Sequence, residues 1–319
     1  MAAPMKTGWI KPATILFAAE IPANQRALAF AIAQAVEFDA DLILFHAYEK
    51  PAVTATDESG VRYYDYAAAA HAEKSRVDPL ARHVLESGVR CEVVVRPGRP
   101  ADQILAFARE RVVDRIVMGT HSPGPIGKLL VGSVAEAVLR SATAPVYIVG
   151  PDVVDAHDRK FATRTVLAAI SLHEASSMVA AFASELAVQH HARLILQHVI
   201  RPQDRAQATA SIDQIEIDML SMIPEEMSDK ISAQAIVVPG DPTEEMLYQS
   251  RAQHADLIVL GAQGASAFAA ATRQGVVYKA LAHSQCPVMT LSPLVLAEWG
   301  SKDDGEKARS SETYMAGVF

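Results

Sequence analysis

The sequence repeats itself once, over the length of a whole domain. Gly98-Arg99-Pro100 returns as Gly240-Asp241-Pro242, Asp114-x-Ile-Val-x-Gly119 as Asp256-x-Ile-Val-x-Gly261, and Pro145-Val146 as Pro287-Val288, always at one displacement (98 to 240, 119 to 261, 145 to 287). Leu42, Leu44 and His46 return as Leu194, Leu196 and His198 at a displacement ten residues longer, so the first copy carries an insertion between its second and third strands. A period of this size is a duplicated domain, not a solenoid unit, and whatever fold one copy adopts the other must accommodate. At 319 residues the chain has room for two ordinary domains, each with its own core.

Within the first copy, Thr14 to Ala19 predicts a buried strand, Ala27 to Val36 an amphipathic helix and Asp41 to Ala47 a second strand. An insert from Tyr48 to about Ala70, bearing Tyr63, Tyr64 and Tyr66, leads to a helix ending near Ser87 and a strand from Cys91 to Val95. The turn at Pro97 to Pro100 opens a helix over Ala101 to Glu110. Near-continuous apolar strands alternating with helices, in a chain that is 50% hydrophobic but only 6% aromatic, imply a parallel sheet covered on both faces. Right-handed crossovers make the expected fold α/β, with two tandem doubly wound (Rossmann-like) domains, each a five-stranded parallel sheet flanked by helices. The expected boundaries are 1–150 and 160–297, with the charged, aperiodic 298–319 as a mobile tail.

The stretch Asp114 to Val149 then reads as strand, Gly- and Pro-rich loop, helix, strand. Two readings of it stand side by side. Backbone N–H groups at a helix start suit a phosphate, whereas Ser133 with Glu136 three residues on is a capping box. A formal net charge of −8 argues against binding nucleic acid or acidic lipid. No apolar run reaches the ~18 residues of a membrane span, so a cytoplasmic location is expected. Cys91 and Cys286 read as small buried hydrophobes, and His46, His83, His190, His191, His198 and His254 as surface or satisfied core side chains. Neither a hydrolase triad, a Walker loop nor a dinucleotide-binding glycine pattern is present.

A strand ending in Gly119, a small residue at 122, Gly132-Ser133 at a helix start, a Val-Ala-Glu-x-Val-Leu-Arg helix and an x-Pro-Val strand together resemble the universal stress protein domain. The strand-end His of LFHA and LQHV and the Gly-x-Pro turn fit the same pattern, so nearly the whole chain resembles two tandem copies. That resemblance implies domains paired through their last strands, here within one polypeptide as a pseudo-dimer, with a homodimer as a further option. It also implies an ATP site at Ala18, Glu20, Ala47, Met118, Gly119, Ser122, Gly132, Ser133 and Val134, to which Lys128 adds a cation within reach of phosphate. Glu20 stands where the family has Asp, Ser122 where it has Gly, and Pro123 and Pro125 remove two N–H donors. The second copy keeps Gly261 and Gly264 but has Gln274-Gly275 and Ser171 at the other positions. The expectation is a nucleotide-responsive regulator that binds ATP or a related adenine nucleotide, with or without Mg²⁺, in its first half. It is expected not to be an enzyme beyond slow hydrolysis. The alternative is a scaffold or dimerisation module whose loops only cap helices; an enzyme related to adenine-nucleotide hydrolases or electron-transfer flavoproteins comes third.

Overall fold

Each apolar run of the first copy becomes a strand, and each amphipathic run a helix. The computed structural model describes residues 7–49, 54–56, 58–60, 62–120, 132–154, 161–172, 175–201, 211–261 and 276–299. After a 3₁₀ turn at Thr7–Trp9 come β1 (Thr14–Ala18), α1 (Gln25–Phe38), β2 (Asp41–Tyr48), β3 (Thr54–Thr56), β4 (Arg62–Tyr64), α2 (Tyr66–Glu86), β5 (Cys91–Pro97), α3 (Pro100–Glu110), β6 (Arg115–Gly119), α4 (Ser133–Ser141) and β7 (Val146–Val149). The second half follows with β8 (Thr165–Ala169), α5 (Ser176–His190), β9 (Arg193–Ile200), α6 (Ile212–Leu220), α7 (Glu225–Ser228), β10 (Ala233–Pro239), α8 (Pro242–Ala252), β11 (Leu257–Gly261), α9 (Val276–His283) and β12 (Val288–Leu291). Residues 293–299 close the described chain as a helix.

The strands form one ten-stranded sheet in the order β10-β9-β8-β11-β12-β7-β6-β1-β2-β5, with β3 and β4 apart as an antiparallel hairpin in the insertion. Within each half of the large sheet every pairing is parallel. The halves meet through β7 and β12, which run antiparallel with Val288 opposite Ile148, Met289 opposite Tyr147 and Thr290 opposite Val146. Two five-stranded parallel sheets are thereby fused at their last strands.

Side chains alternate across each strand, so Ile15 and Phe17 enter one layer and Leu16 the other. The first layer lies under α1, α2, α5 and α6, the second under α3, α4, α8 and α9. Both layers cross the junction between the halves, so neither half owns a core separate from the other's. At that junction the Ser292 hydroxyl donates to the Ala142 carbonyl at 2.7 Å, and the Val154 N–H to the Gln285 carbonyl at 3.0 Å. A Cβ on Gly150 would lie 2.4 Å from the Leu281 carbonyl oxygen, a backbone atom, so this position admits only glycine without a shift of one half against the other.

The repeated motifs have local physical causes. Gly98 and Gly240 adopt φ of 132° and 156°, and each precedes a helix whose first residue is the proline of the Gly-x-Pro turn. Asp114 Oδ2 accepts the N–H groups of Ala13 and Thr14 at 2.8 and 2.9 Å; Asp256 Oδ2 does the same for Arg164 and Thr165 at 2.9 and 3.0 Å. Each repeated aspartate therefore anchors the chain entering the neighbouring first strand. Arg115, next in sequence, is fully buried and donates to the carbonyls of Trp9 and Ile10 and to the Gln34 side chain. Its guanidinium also lies over the rings of Phe38 and Tyr147, at 4.6 and 5.4 Å. Burial lowers its pKa from the usual arginine value and pushes that of Tyr147 up to about 12. Trp9 in turn stacks on Trp299, whose ring meets Phe182 edge-on at 4.8 Å. The packed chain thus reaches two residues past the 297 expected as the end of the second half.

Candidate functional site

In the first half the strand order turns around β1, which has β2 on one side and β6 on the other. The crevice beyond the carboxyl ends of such strands is where a doubly wound sheet receives ligands. The sheet brings Ala18, Ala47 and Met118 to the carboxyl ends of these three adjacent strands, in register as Ala18 opposite Met118 and Ala47 next to the His46 position. Together with Val134 from α4 they border the second apolar layer. Two of the three strand positions are alanines, which keep this edge shallow. Glu20 lies exposed on the segment leaving β1. Ser122 and Lys128, together with Pro123, Pro125 and the second-copy positions Gly264, Gln274 and Gly275, lie outside the described residues.

The two first-half glycines at this edge differ in why they are glycine. A Cβ on Gly119 would lie 2.5 Å from Asn24 Cβ, so Gly119 is small to admit Asn24. That asparagine caps α1, accepting the Ala27 N–H at 3.1 Å, and its amide donates to the Thr120 carbonyl at 3.1 Å. Asparagine three residues before the first buried helical position is a cap signal that a residue-by-residue reading could have found. Gly132, by contrast, has φ of −53°, which any residue adopts, and its Cβ would meet no described atom within 4 Å.

The capping box expected of Ser133 and Glu136 does not form. Gly132 is the N-cap of α4 and has no side chain to offer, Ser133 is already the first helical residue, and Glu136 pairs with Arg140 one turn on at 2.9 Å. The motif fails because the chain enters the helix one residue earlier than a serine cap requires. Helices α1, α2, α6 and α8 are each capped by a side chain, from Asn24, Asp65, Ser211 and Asp241. The N-cap residue of α4, like those of α3 and α5, gives no side-chain cap, and Ser133 beside it is exposed.

A second device was not foreseen. His46 Nδ1 lies 2.8 Å from the Ala19 carbonyl, and because a carbonyl only accepts, Nδ1 carries the proton. Its Nε2 faces the Glu73 carboxylate at 3.3 Å, which also receives Arg76 at 2.6 Å. The histidine ties the segment bearing Glu20 to β2 and to the inserted helix α2. His198 repeats the first link, with Nδ1 2.8 Å from the Ile170 carbonyl. Both are satisfied core or edge histidines, as their pattern predicted. Cys286 is buried as expected, whereas Cys91, at the start of an edge strand, is only partly so; desolvation raises their pKa to about 12 and about 11, so each is a thiol at neutral pH.

In the second half, the end of β11 is roofed differently. A Cβ on Gly261 would meet Val179 Cγ2 at 2.6 Å and Leu296 Cδ1 at 3.8 Å, where Gly119 meets a polar amide. No group of three or more His, Cys, Asp or Glu among the described residues could hold a metal ion. No helix among them is long and apolar enough to cross a membrane.

Comparison with known proteins agrees with this architecture. The chain is 35% identical over 128 residues to a Thermus aquaticus protein, the universal stress protein in the QAH/OAS sulfhydrylase 3′ region, covering 39% of this chain and 88% of that one. It is 29% identical over 133 residues to universal stress protein YxiE of Bacillus subtilis, covering 40% of this chain and 90% of that one. Each relative therefore corresponds to about one half of the molecule. A universal stress protein structure from Archaeoglobus fulgidus superposes at a TM-score of 0.68 with 16% identity, over 89% of this chain and 97% of that one, which speaks for the fold. The model of the universal stress protein family matches twice, at residues 13–150 and 162–292. With two matches in succession along one polypeptide, the chain belongs to the universal stress protein family as a tandem member.

Proposed function

We propose that the first half binds ATP or a related adenine nucleotide at the carboxyl edge of β6, β1 and β2, and that the protein works as a nucleotide-responsive regulator. The observation that carries this reading is the start of α4. Among the described residues no side chain caps its N-terminal amides, and the glycine that heads it is demanded neither by backbone conformation nor by packing against those residues. A bare helix start of this kind is complementary to phosphate oxygens through its N–H groups and its dipole. Gly132, Ser133 and Val134 would hold the phosphates there, with Gly119 beside them and Ser122 and Lys128 contributing from the loop. Ala18, Ala47 and Met118 would form the floor for the base, and the Glu20 carboxylate would accept from ribose hydroxyls. If Mg²⁺ accompanies it, the phosphates rather than a protein cluster would be its main ligands.

The second half is proposed as a structural partner, favoured by the apolar roof that Val179 and Leu296 place over Gly261. The test is a calorimetric titration of the full chain with ATP, with and without Mg²⁺, for the wild type and Gly132→Val. Because a Cβ at 132 meets no described atom within 4 Å, the variant is expected to melt where the wild type does. Its affinity for ATP is expected to fall about tenfold or more, the loss of one charge-assisted hydrogen bond or greater. Undiminished affinity in that variant overturns the site, and no binding by the wild type overturns the function.

A further inference from the structure

We infer that the cleft between the two halves is a second anion site, separate from the nucleotide edge, and that it takes a small ligand bearing a phosphate group. A cavity of about 850 Å³ opens where the segment after β7 passes the ends of α8 and α9. Its walls come from both halves: Arg26 from α1, Asp152 from the connecting segment, Leu247 and Arg251 from α8, and His283 and Gln285 from the approach to β12. The volume is that of an ordinary small-molecule site.

The charge on the walls is what selects the ligand. Three cation-forming side chains meet there against one acid, Asp152, and that acid faces His283 at 3.5 Å. The two arginines are left without a carboxylate among the described residues. Arg26 donates one N–H to the Pro151 carbonyl, which fixes the direction of its planar group and leaves the rest of the fork free. Arg251 stands exposed in the last turn of α8. Five other arginines, Arg76, Arg90, Arg96, Arg111 and Arg140, are each held by a carboxylate at 3.0 Å or closer, whereas neither arginine of this cleft is. Two guanidinium forks lining one cleft from different elements match the oxygens of a phosphate dianion better than any neutral or cationic guest does. Leu247, Val153 and Val154 line the same cleft and supply an apolar wall for whatever carries the phosphate. Because Arg26 belongs to one half and Arg251 to the other, an anion held by both braces the junction.

Neither Gly119 nor any residue of the α4 start lines this cleft, so the two sites can be tested apart. The probe is inorganic pyrophosphate, titrated calorimetrically into the full-length wild type, Arg251→Gln, Arg26→Gln and Gly132→Val at low ionic strength, where phosphate contacts are least screened. The inference expects wild-type binding, an affinity about tenfold or more weaker in Arg251→Gln, and binding preserved in Gly132→Val. Arg251 has no side-chain partner among the described residues and stands exposed, so its variant should fold as the wild type does; Arg251→Lys, which keeps charge without the fork, should recover only part of the affinity. Absence of binding, or equal binding by wild type and both arginine variants, overturns the cleft. Loss in Gly132→Val with no effect at Arg251 overturns it while favouring the nucleotide edge. Loss in both would mean one shared site and overturns the claim of a separate one.

Discussion

Single side chains carry much of the difference between the two halves. Asp241 and Arg99 occupy the same place in the repeat, directly after the positive-φ glycine. Only the aspartate caps its helix, accepting from Thr243 at 2.9 Å and Glu244 at 3.1 Å. The Glu244 N–H is the main cause that holds the Asp241 carboxyl below its ordinary pKa; partial burial opposes it, and Thr243 and Lys279 add to the lowering. A carboxylate whose folded pKa is depressed gives stability that is fully present above its unfolded pKa and lost as pH falls through the folded one. Asp241→Ala is therefore expected to cost about 1 kcal/mol at neutral pH. In urea titrations the difference from wild type should shrink below about pH 4, because the wild-type carboxylate is then protonated. At this scale the sequence marked the right residues more often than the right reasons. Asp114 and Asp256 stood out as repeated letters, but that each collects two amides across the sheet depends on strand neighbours roughly a hundred positions away.

Elements were legible wherever a long apolar run had a clear end. The five parallel strands of each half, the helices between them and the Gly-x-Pro helix starts all follow from patterning and from backbone preferences of glycine and proline. The short hairpin of β3 and β4 was not foreseen, because three-residue strands carry too little periodicity to be told from a loop. The capping box was misread for a different reason. Ser-x-x-Glu is a local pattern that does not say where the helix begins, and a one-residue shift turns a cap into a first-turn side chain. Gly98 offers a test of the turn itself: its φ of 132° strains any residue with a Cβ, which would also displace the Gln103 amide at 2.8 Å. Gly98→Ala is expected to destabilise the protein by about 1–3 kcal/mol, read as a lowered denaturation midpoint at unchanged slope. A neutral result would mean the turn relaxes freely. The cationic cleft was invisible in the sequence, since Arg26 and Arg251 share no motif and meet only because the halves join edge to edge.

For the whole molecule, the decisive event is the pairing of β7 with β12, which makes one sheet and two shared apolar layers from a duplicated chain. Thermal unfolding of the wild type is accordingly expected to be a single transition. Gly150→Val, which drives a side chain into the Leu281 backbone carbonyl at the junction, should lower its stability by about 1–3 kcal/mol. Separate, independently melting transitions in the wild type would contradict the shared cores. The opposed direction of the two central strands has a geometric corollary. Since every strand within a half points the same way, the chemically equivalent rims of the two halves look out on opposite sides of the protein, as the faces of a coin do. A nucleotide resting above β6 and anything arriving above β11 would never see each other, and news of one could reach the other only by way of the backbone seam between them.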